Sequence, residues 1–168
     1  YRSLRSLIMR DGLTGLLNHT ALKEQLAAEV AQAGRSGAPL ALAMIDLDRF
    51  KSVNDTYGHP VGDQVLKTLS RLLRQRLRRG DIVGRYGGEE FAVIFPDTNA
   101  ETARKVLDQV RLAFVKIEQH ANQQIFTATF SAGVADLELA ADVEEIIEAA
   151  DNAMYVAKQK GRNCIELA

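Results

Sequence analysis

The chain has 168 residues, of which 46% are hydrophobic and 26% are charged. This length and composition are typical of one globular domain with a sizeable buried core. The formal net charge is −1, so the surface as a whole has no positive excess with which to bind nucleic acid or an anionic membrane. The single cysteine, Cys164, excludes an internal disulfide and favours a reducing, cytoplasmic compartment.

The sequence contains no apolar run near the ~20 residues of a membrane-spanning helix and no signal-peptide pattern. It begins with Tyr1 rather than Met. We therefore expect a piece of a longer protein that makes no membrane contact itself, while the parent protein is free to carry an anchor elsewhere.

Hydrophobic periodicity predicts the elements in chain order. Residues 1–10 have helical spacing and are interpreted as the end of an incoming signalling helix, followed by a folded domain at 11–168. Asn18 is a candidate N-cap for a helix at 20–33. The apolar run Leu40–Leu47 predicts a strand that is buried on both faces.

The second half of the chain alternates between strands and amphipathic helices. Strands at 82–86 and 90–95 are joined at Gly87-Gly88, a pair that can supply the two positive φ angles of a tight hairpin. The alternation at 124–134 predicts one more strand. Further helices are predicted at 49–56, 61–77, 99–118 and 142–159, and a last short strand at Cys164–Leu167. The pattern predicts one α+β domain with helices packed on a mostly antiparallel sheet.

Four carboxylates lie where the predicted backbone is most constrained. Asp46 and Asp48 are at the end of the buried strand, and Glu89 and Glu90 follow the hairpin turn. If the hairpin pairs beside the first strand, Asp46 and Glu89 converge. Hard oxygen ligands suit Mg²⁺, and a pair of such ions would clamp the attacking and leaving oxygens of a phosphoryl transfer. The alternative is solvated loop acids, which suits Asp46 least because a buried unpaired carboxylate is costly.

Nucleotide phosphates would need cations, because the sequence has no P-loop motif. Lys51, Lys158 and Arg162 are the candidates, with ordinary surface charge as the alternative. Asn54 and Asp63 together can read a guanine edge, since an amide both donates and accepts while a carboxylate accepts. Helix capping is the alternative for Asp63.

These residues resemble the GGDEF family of diguanylate cyclases in its GGEEF variant. Any one motif is modest support, but all five in this order are very specific. The motifs are D-G-L-T-G-L-L-N at 11–18, D-L-D-R-F-K-S-V-N-D at 46–55, G-H-P-V-G-D at 58–63, R-Y-G-G-E-E-F at 85–91 and A-D-N-A-M-Y-V-A-K-Q-K-G-R-N at 150–163.

The resemblance implies a ferredoxin-like nucleotidyl-cyclase palm, with a central, mostly antiparallel sheet, flanking helices and a GGEEF hairpin. It implies condensation of two GTP into cyclic di-GMP with release of two pyrophosphates. Each domain would hold one GTP, so catalysis would require a homodimer that positions the two substrates mutually. The incoming helix would couple an upstream sensor domain to that encounter.

The resemblance also implies roles for individual residues. Asp46, Glu89 and the carbonyl of Leu47 would bind Mg²⁺ or Mn²⁺, with two ions per GTP site. Glu89 is the position usually assigned as proton acceptor for the ribose 3′-hydroxyl, and a metal-bound hydroxide or Glu90 are alternatives. Lys51 would offset charge that develops in transfer. The guanine readers would be Asn54 and Asp63, the phosphate binders would be backbone amides near Arg49 and Phe50 with Lys51, Lys158 and Arg162, and His59 would lie near the substrate.

An R-x-x-D pattern at Arg78 and Asp81 stands five residues before Gly87. This placement resembles the family's product-inhibition site, where both residues would bind guanine bases of cyclic di-GMP. Two departures bear on that site. His19 stands where the family usually has an arginine that can join inhibitory contacts between domains, which argues against cross-domain product binding. Gln109 stands where some members present a further arginine to the product.

Three functions compete. The first is an active diguanylate cyclase, and the second is a non-catalytic domain that binds GTP or cyclic di-GMP for regulation. Such domains usually lose the acids that remain here at Asp46, Glu89 and Glu90. The third is a nucleotidyl cyclase acting on ATP or mixed substrates, against which Asn54 and Asp63 argue.

Overall fold

The structure is a computed structural model that describes residues 9–168, so most of the predicted incoming helix lies outside the described residues. At the last residue of the predicted helix the prediction is wrong, because Arg10 forms an isolated β-bridge with Leu17. The chain turns back here because Asp11 Oδ2 accepts hydrogen bonds from the amide and the hydroxyl of Thr14, at 2.8 and 2.7 Å.

The described residues form five helices and seven strands. The helices are α1 His19–Ser36, α2 Phe50–Tyr57, α3 His59–Arg76, α4 Ala100–Val115 and α5 Val143–Gln159. The strands are β1 Leu40–Leu47, β2 Ile82–Arg85, β3 Glu90–Pro96, β4 Gln119–Ala121, β5 Gln124–Phe126, β6 Phe130–Asp136 and β7 Ile165–Leu167. No helix within residues 9–168 is long and apolar enough to cross a membrane.

The main sheet has the order β2-β3-β1-β6-β7, and only the β6–β7 pair is parallel. Along the chain, β1, β2, β3 and β6 are connected as β-α-β-β-α-β, which is the ferredoxin-like arrangement. The predicted fold class is therefore confirmed. Strands β4 and β5 form a separate two-stranded sheet.

The sheet has a hydrophobic core on each face, because successive strand residues point to opposite sides. In β1, Ala41, Ala43 and Ile45 belong to the core that contains residues of α3 and α4. Leu42 and Met44 belong to the core that contains residues of α1 and α5. The prediction that Leu40–Leu47 is buried on both faces is thus confirmed.

Local capping defines the helix boundaries. Asn18 is the N-cap of α1 and its side chain accepts from the Ala21 amide at 2.9 Å, as predicted. Helix α3 begins at His59 rather than at the predicted residue 61, since Pro60 fits the first helical turn. Asp63 therefore lies inside α3, and the alternative that it caps the helix is wrong.

The predicted two-residue turn at Gly87-Gly88 is also wrong. Neither glycine has a positive φ, and residues 86–89 connect β2 to β3. The amides of Tyr86 and Gly87 both donate to the Glu90 carbonyl, at 2.7 and 3.1 Å. The Glu90 side chain lies close against Gly87, because a Cβ there would be 2.8 Å from Glu90 Oε1.

The predicted strand at 124–134 is two strands, β5 and β6, separated by residues 127–129. Strand β5 turns back through Asn122, which has a left-handed φ of 57°, and pairs with β4. Asparagine tolerates this conformation in tight hairpin turns. Strand β4 was not predicted, because three residues are too few to show a period.

Gly133 on β6 permits the closest approach of α5 to the sheet. A Cβ at Gly133 would lie 2.2 Å from both the Ala150 carbonyl oxygen and the Met154 amide nitrogen. We expect Gly133→Ala to lower the free energy of unfolding by about 3 kcal/mol, because the α5 backbone must move. Urea denaturation measures this loss.

Gly34 in α1 provides the matched control, since a Cβ there meets nothing within 4 Å. Gly34→Ala should be neutral or more stable by up to about 1 kcal/mol. Equal stability of the two variants would contradict the packing argument.

Candidate active site

Pairing of β3 beside β1 brings the predicted acidic residues together. Asp46 lies directly opposite Glu90 in the antiparallel register. The Leu47 amide donates to the Glu89 carbonyl at 3.2 Å. The hairpin thus pairs beside β1, as the prediction requires, but the residue opposite Asp46 is Glu90 rather than Glu89. The charges of Glu89 and Glu90 both act on Asp46.

The carboxylate of Asp46 is largely buried, and only one of its two oxygens has a partner. Its side chain is 18% exposed and its Oδ2 lies 3.5 Å from Lys158 Nζ, while its buried Oδ1 has no hydrogen-bond partner. Burial raises the pKa of Asp46 to about 6; Lys158 opposes this rise, and Glu89 and Glu90 add to it. Burial also raises the pKa of Glu90, with Asp151 and Glu89 adding to it. This end of the sheet therefore favours an added cation.

The donors present fit a divalent ion that shares its coordination with substrate and water. Among residues 9–168, no group of three or more His, Cys, Asp or Glu side chains is arranged to hold a metal ion. The predicted set is instead two carboxylates, Asp46 and Glu89, with the main-chain carbonyl of Leu47. The orphaned Oδ1 of Asp46 has the hard-oxygen chemistry that Mg²⁺ prefers.

Asp48, two residues further on, has a different environment. Its side chain is 3% exposed, and each of its oxygens accepts two hydrogen bonds. Asp48 therefore has no free oxygen for a metal. The sequence pattern placed both aspartates in one candidate group, whereas the structure separates them by their hydrogen bonds.

Helix α2 begins beside these acids with its first amides uncapped. Its N-cap residue Arg49 has a left-handed φ of 55° and makes no side-chain capping bond. Uncapped amides and the helix dipole favour an anion at this end. Lys51 is exposed in the first turn, while Phe50 is half-buried and packs against the core.

The remaining predicted cations, Lys158 and Arg162, come from α5 and the segment that follows it. Lys158 in α5 lies between Asp46 Oδ2 and Asp48 Oδ1, at 3.5 and 3.4 Å from its Nζ. Arg162 is exposed just beyond α5 and has a left-handed φ of 67°. The fold thus brings Lys158 to the acidic cluster and leaves Arg162 accessible.

Asn54 offers an acceptor to a base. Its Oδ1 is buried and has no partner, and a Cβ at Gly62 would lie 1.9 Å from it. Gly62 therefore leaves the space that the amide occupies. Asp63 is exposed in α3 next to Gly62, and His59 is exposed at the first residue of α3.

Sequence reasoning missed the residues that hold the hairpin loop. Arg85 donates to the carbonyls of Gly87 and Gly88, at 3.2 and 2.7 Å, and to both oxygens of Asp11 at 3.2 Å. Burial favours the neutral form of Asp11, but hydrogen bonds from Thr14 and the charge of Arg85 keep its pKa below the usual value. The motifs at 11–18 and 85–91 thus form one structural unit.

Arg78 and Asp81 lie at the opposite end of β2 from the Glu89 loop. Arg78 Nη2 is 3.2 Å from Asp81 Oδ1, and the Arg78 amide donates to Asp81 Oδ2 at 3.0 Å. Arg78 also contacts the hydroxyl of Thr98. The Asp81 side chain is 2% exposed and that of Arg78 is 51% exposed. Asp81 thus orients Arg78, which presents its outer face to solvent.

Of the two departures, His19 lies at the other end of β2 from that pair. His19 contacts Tyr86 at the hairpin end of β2, with its Nδ1 2.9 Å from the Tyr86 carbonyl oxygen and the ring centroids 4.3 Å apart. Gln109 is exposed on α4. His19 is therefore a contact of the GGEEF loop.

The sheet order and the acids at its edge define a nucleotidyl-cyclase type of domain. Residues 8–164 match the family described as "Diguanylate cyclase, GGDEF domain", and the chain belongs to this family. It is similar to the diguanylate cyclase DgcP of Pseudomonas aeruginosa, with 43% identity over 164 residues that make up 98% of this chain and 24% of DgcP.

The diguanylate cyclase DosC of Escherichia coli is 37% identical over 158 residues, which are 94% of this chain and 34% of DosC. The chain thus spans well under half the length of these relatives. The crystal structure of the coiled coil and GGDEF domain of DgcB from Caulobacter crescentus, in complex with c-di-GMP, matches with a TM-score of 0.94 and 31% identity, covering 99% of this chain and 89% of that chain.

The environment of Asp46 predicts a stability that depends on pH. The pKa of Asp46 is about 6 in the folded protein, above the ordinary value of 3.8. Between these two pH values the unfolded chain has released the proton and the folded protein still holds it, so the contribution of Asp46 to stability falls as pH rises. In EDTA, Asp46→Asn should therefore be more stable than wild type by about 1–3 kcal/mol at about pH 7 and equal to it near pH 4.

Urea denaturation at the two pH values measures this difference. Asp55→Asn, at an exposed position of α2, should match wild type at both. An Asp46→Asn protein that is less stable at both pH values would show that the ion pair with Lys158 outweighs burial.

Proposed function

We propose that this domain is an active diguanylate cyclase, which condenses two GTP into cyclic di-GMP and releases two pyrophosphates. The observation that supports this most strongly is the pairing of β1 with β3, which places Asp46 opposite Glu90 and lets the charge of Glu89 act on Asp46, while Asp46 Oδ1 is left without a partner. Membership of the diguanylate cyclase family and the intact acidic positions agree with it.

Asp46, Glu89 and the carbonyl of Leu47 would hold divalent cations, Mg²⁺ or Mn²⁺, with two ions at each GTP. Such ions supply charge neutralisation and activation of the attacking oxygen when bound. Glu89, or Glu90 beside it, accepts the proton of the ribose 3′-hydroxyl that attacks the α-phosphate. Burial raises the pKa of Glu90, and a raised pKa suits a proton acceptor better than that of an ordinary surface glutamate.

The chain's own groups orient the substrate around those acids. The free Oδ1 of Asn54 and the carboxylate of Asp63 accept from the guanine edge. The uncapped amides at Arg49 and Phe50 bind phosphate oxygens, as helix N-termini do. Lys51, Lys158 and Arg162 add positive charge around the phosphates, and His59 lies at the rim formed by the start of α3.

Two such domains face each other, since each holds one GTP and both phosphodiester bonds join the two nucleotides. A transient homodimer therefore supplies much of the rate enhancement through mutual positioning. An upstream sensor domain would control that encounter in the longer protein, which we expect to act in the cytoplasm, where GTP is supplied.

Product inhibition is proposed at Arg78. The exposed guanidinium, held by Asp81 and Thr98, can donate to the guanine of cyclic di-GMP, and the DgcB structure contains c-di-GMP. The two oxygens of Asp81 already accept from Arg78. We therefore assign Asp81 the orientation of Arg78 as well as the predicted contact with the base.

Chromatography of the nucleotide products tests the activity. Wild-type protein with GTP and Mg²⁺ should yield cyclic di-GMP and pyrophosphate, and ATP should yield no cyclic product because Asn54 and Asp63 suit guanine. Glu89→Gln should lower the rate at least about a hundredfold while the protein stays folded, since a metal ligand is lost.

Glu118→Gln is the matched control, because Glu118 is exposed beside β4 and the same chemical change there should leave the rate unchanged. Undiminished product from Glu89→Gln would refute the assignment. GTP binding without product in wild-type protein would favour the regulatory alternative.

The inhibitory site is tested by initial rates with added cyclic di-GMP. Arg78→Ala should raise the half-inhibitory concentration at least about tenfold and keep turnover, because charged hydrogen bonds to the base are lost. Arg79→Ala changes the neighbouring exposed arginine and should leave inhibition as in wild type. Equal inhibition of wild type and Arg78→Ala would place the regulatory site elsewhere.

A further inference from the structure

Arg111 and Asp48 form a clamp on the chain segment that presents Arg162. We infer that these two residues position the phosphate-binding cations Lys158 and Arg162 without touching the substrate themselves. This inference rests on the proposed function only in taking Lys158 and Arg162 as the groups that contact the triphosphate.

Asp48 is the first half of the clamp. Thr129 Oγ1 and Ser131 Oγ donate to its carboxylate at 2.7 and 2.6 Å, which fixes the carboxylate against β6. The same carboxylate then accepts from Lys158 Nζ at 3.4 Å and from the Asn163 amide at 3.0 Å. One buried anion thus sets the place of Lys158 and of the main chain next to Arg162.

The segment after α5 needs such support. Gly161, Arg162 and Asn163 have consecutive positive φ angles of 115°, 67° and 48°. Non-glycine residues in this region cost free energy and persist where surrounding contacts determine them. The amides of Gly161 and Arg162 donate to the carbonyls of Lys158 and Ala157, at 3.4 and 3.1 Å, so the helix end supports these two residues and the clamp supports Asn163.

Arg111 in α4 is the second half. Its Nη1 donates to the Asn163 carbonyl at 3.2 Å and to Asn163 Oδ1 at 3.1 Å, and its Nε donates to Asp108 at 2.7 Å. Asn163 is therefore held from its amide side by Asp48 and from its carbonyl side by Arg111. The left-handed turn that carries Arg162 is fixed between them.

The arrangement has a specific consequence for binding. The clamp acts on the cations, and within residues 9–168 the hydrogen bonds of the Asp48 and Arg111 side chains do not reach Asn54 or the start of α3, where the base is proposed to bind. Loosening it should therefore weaken binding of phosphates and leave binding of the nucleoside unchanged. A general loss of structure would weaken both.

The test compares Arg111→Ala with wild type by equilibrium binding in the presence of Mg²⁺. The ligands are the non-reactive α,β-methylene analogue of GTP and guanosine, which keeps the base and lacks every phosphate. We expect the Kd of the analogue to rise about tenfold and that of guanosine to stay within about twofold. In an Arg162→Ala background, Arg111→Ala should add less than about twofold, because it acts through Arg162.

Arg104→Ala is the matched control, because Arg104 lies on the same helix and pairs with Glu101 three residues before it, as Arg111 pairs with Asp108. It should change neither Kd. Asp48→Asn should weaken binding of the analogue as Arg111→Ala does. If the Asp48→Asn protein does not fold, the Arg111 variants decide alone.

The inference would be overturned if Arg111→Ala weakened binding of both ligands equally or changed neither Kd. It would also be overturned if the effects of Arg111→Ala and Arg162→Ala on the Kd of the analogue were fully additive. Because only binding is measured, wild-type protein that binds GTP but makes no cyclic di-GMP would refute the proposed activity and leave this test intact. Wild-type protein that binds neither ligand would overturn both.

Discussion

The register between β1 and β3 is the constraint on which the site depends. It places Asp46 opposite Glu90 and joins the Leu47 amide to the Glu89 carbonyl. A slip of one residue would turn these side chains to the other face of the sheet. The register is held because both faces are packed: Phe91 and its alternate neighbours lie in one core, and Ala92 and its alternate neighbours in the other.

Two aspartates at the carboxyl end of β1 have opposite environments. Asp48 is fully hydrogen-bonded and stabilises the turn after α5, whereas Asp46 keeps an oxygen without a partner. A buried carboxylate without compensation destabilises a fold, and the two hydrophobic cores offset that cost. The unsatisfied acid is thus retained where a cation and a substrate would complete its coordination.

Long elements with a clear period could be predicted from the sequence, and short or contact-dependent ones could not. Leu40–Leu47 was predicted at its observed bounds because its apolar run is unbroken. Strand β4 was missed because three residues show no period. The break between β5 and β6 was missed because Thr129, in that break, hydrogen-bonds Asp48, a residue distant in sequence. The Gly87 turn was misassigned because its glycine accommodates the Glu90 side chain rather than a positive φ.

The sequence by itself determined the family, the fold class and the acidic, amide and basic groups of the site, because these reside in motifs whose order is legible without coordinates. Only the tertiary structure decided which of those groups are free to act. It showed that both oxygens of Asp48 are hydrogen-bonded whereas Oδ1 of Asp46 is not, that Asp81 orients Arg78, and that Arg85 and Arg111 hold the two loops of the site. The reason is physical. Whether a side chain is available depends on partners that are distant in sequence, and the packing of helices on both faces of the sheet determines which partners come close to it.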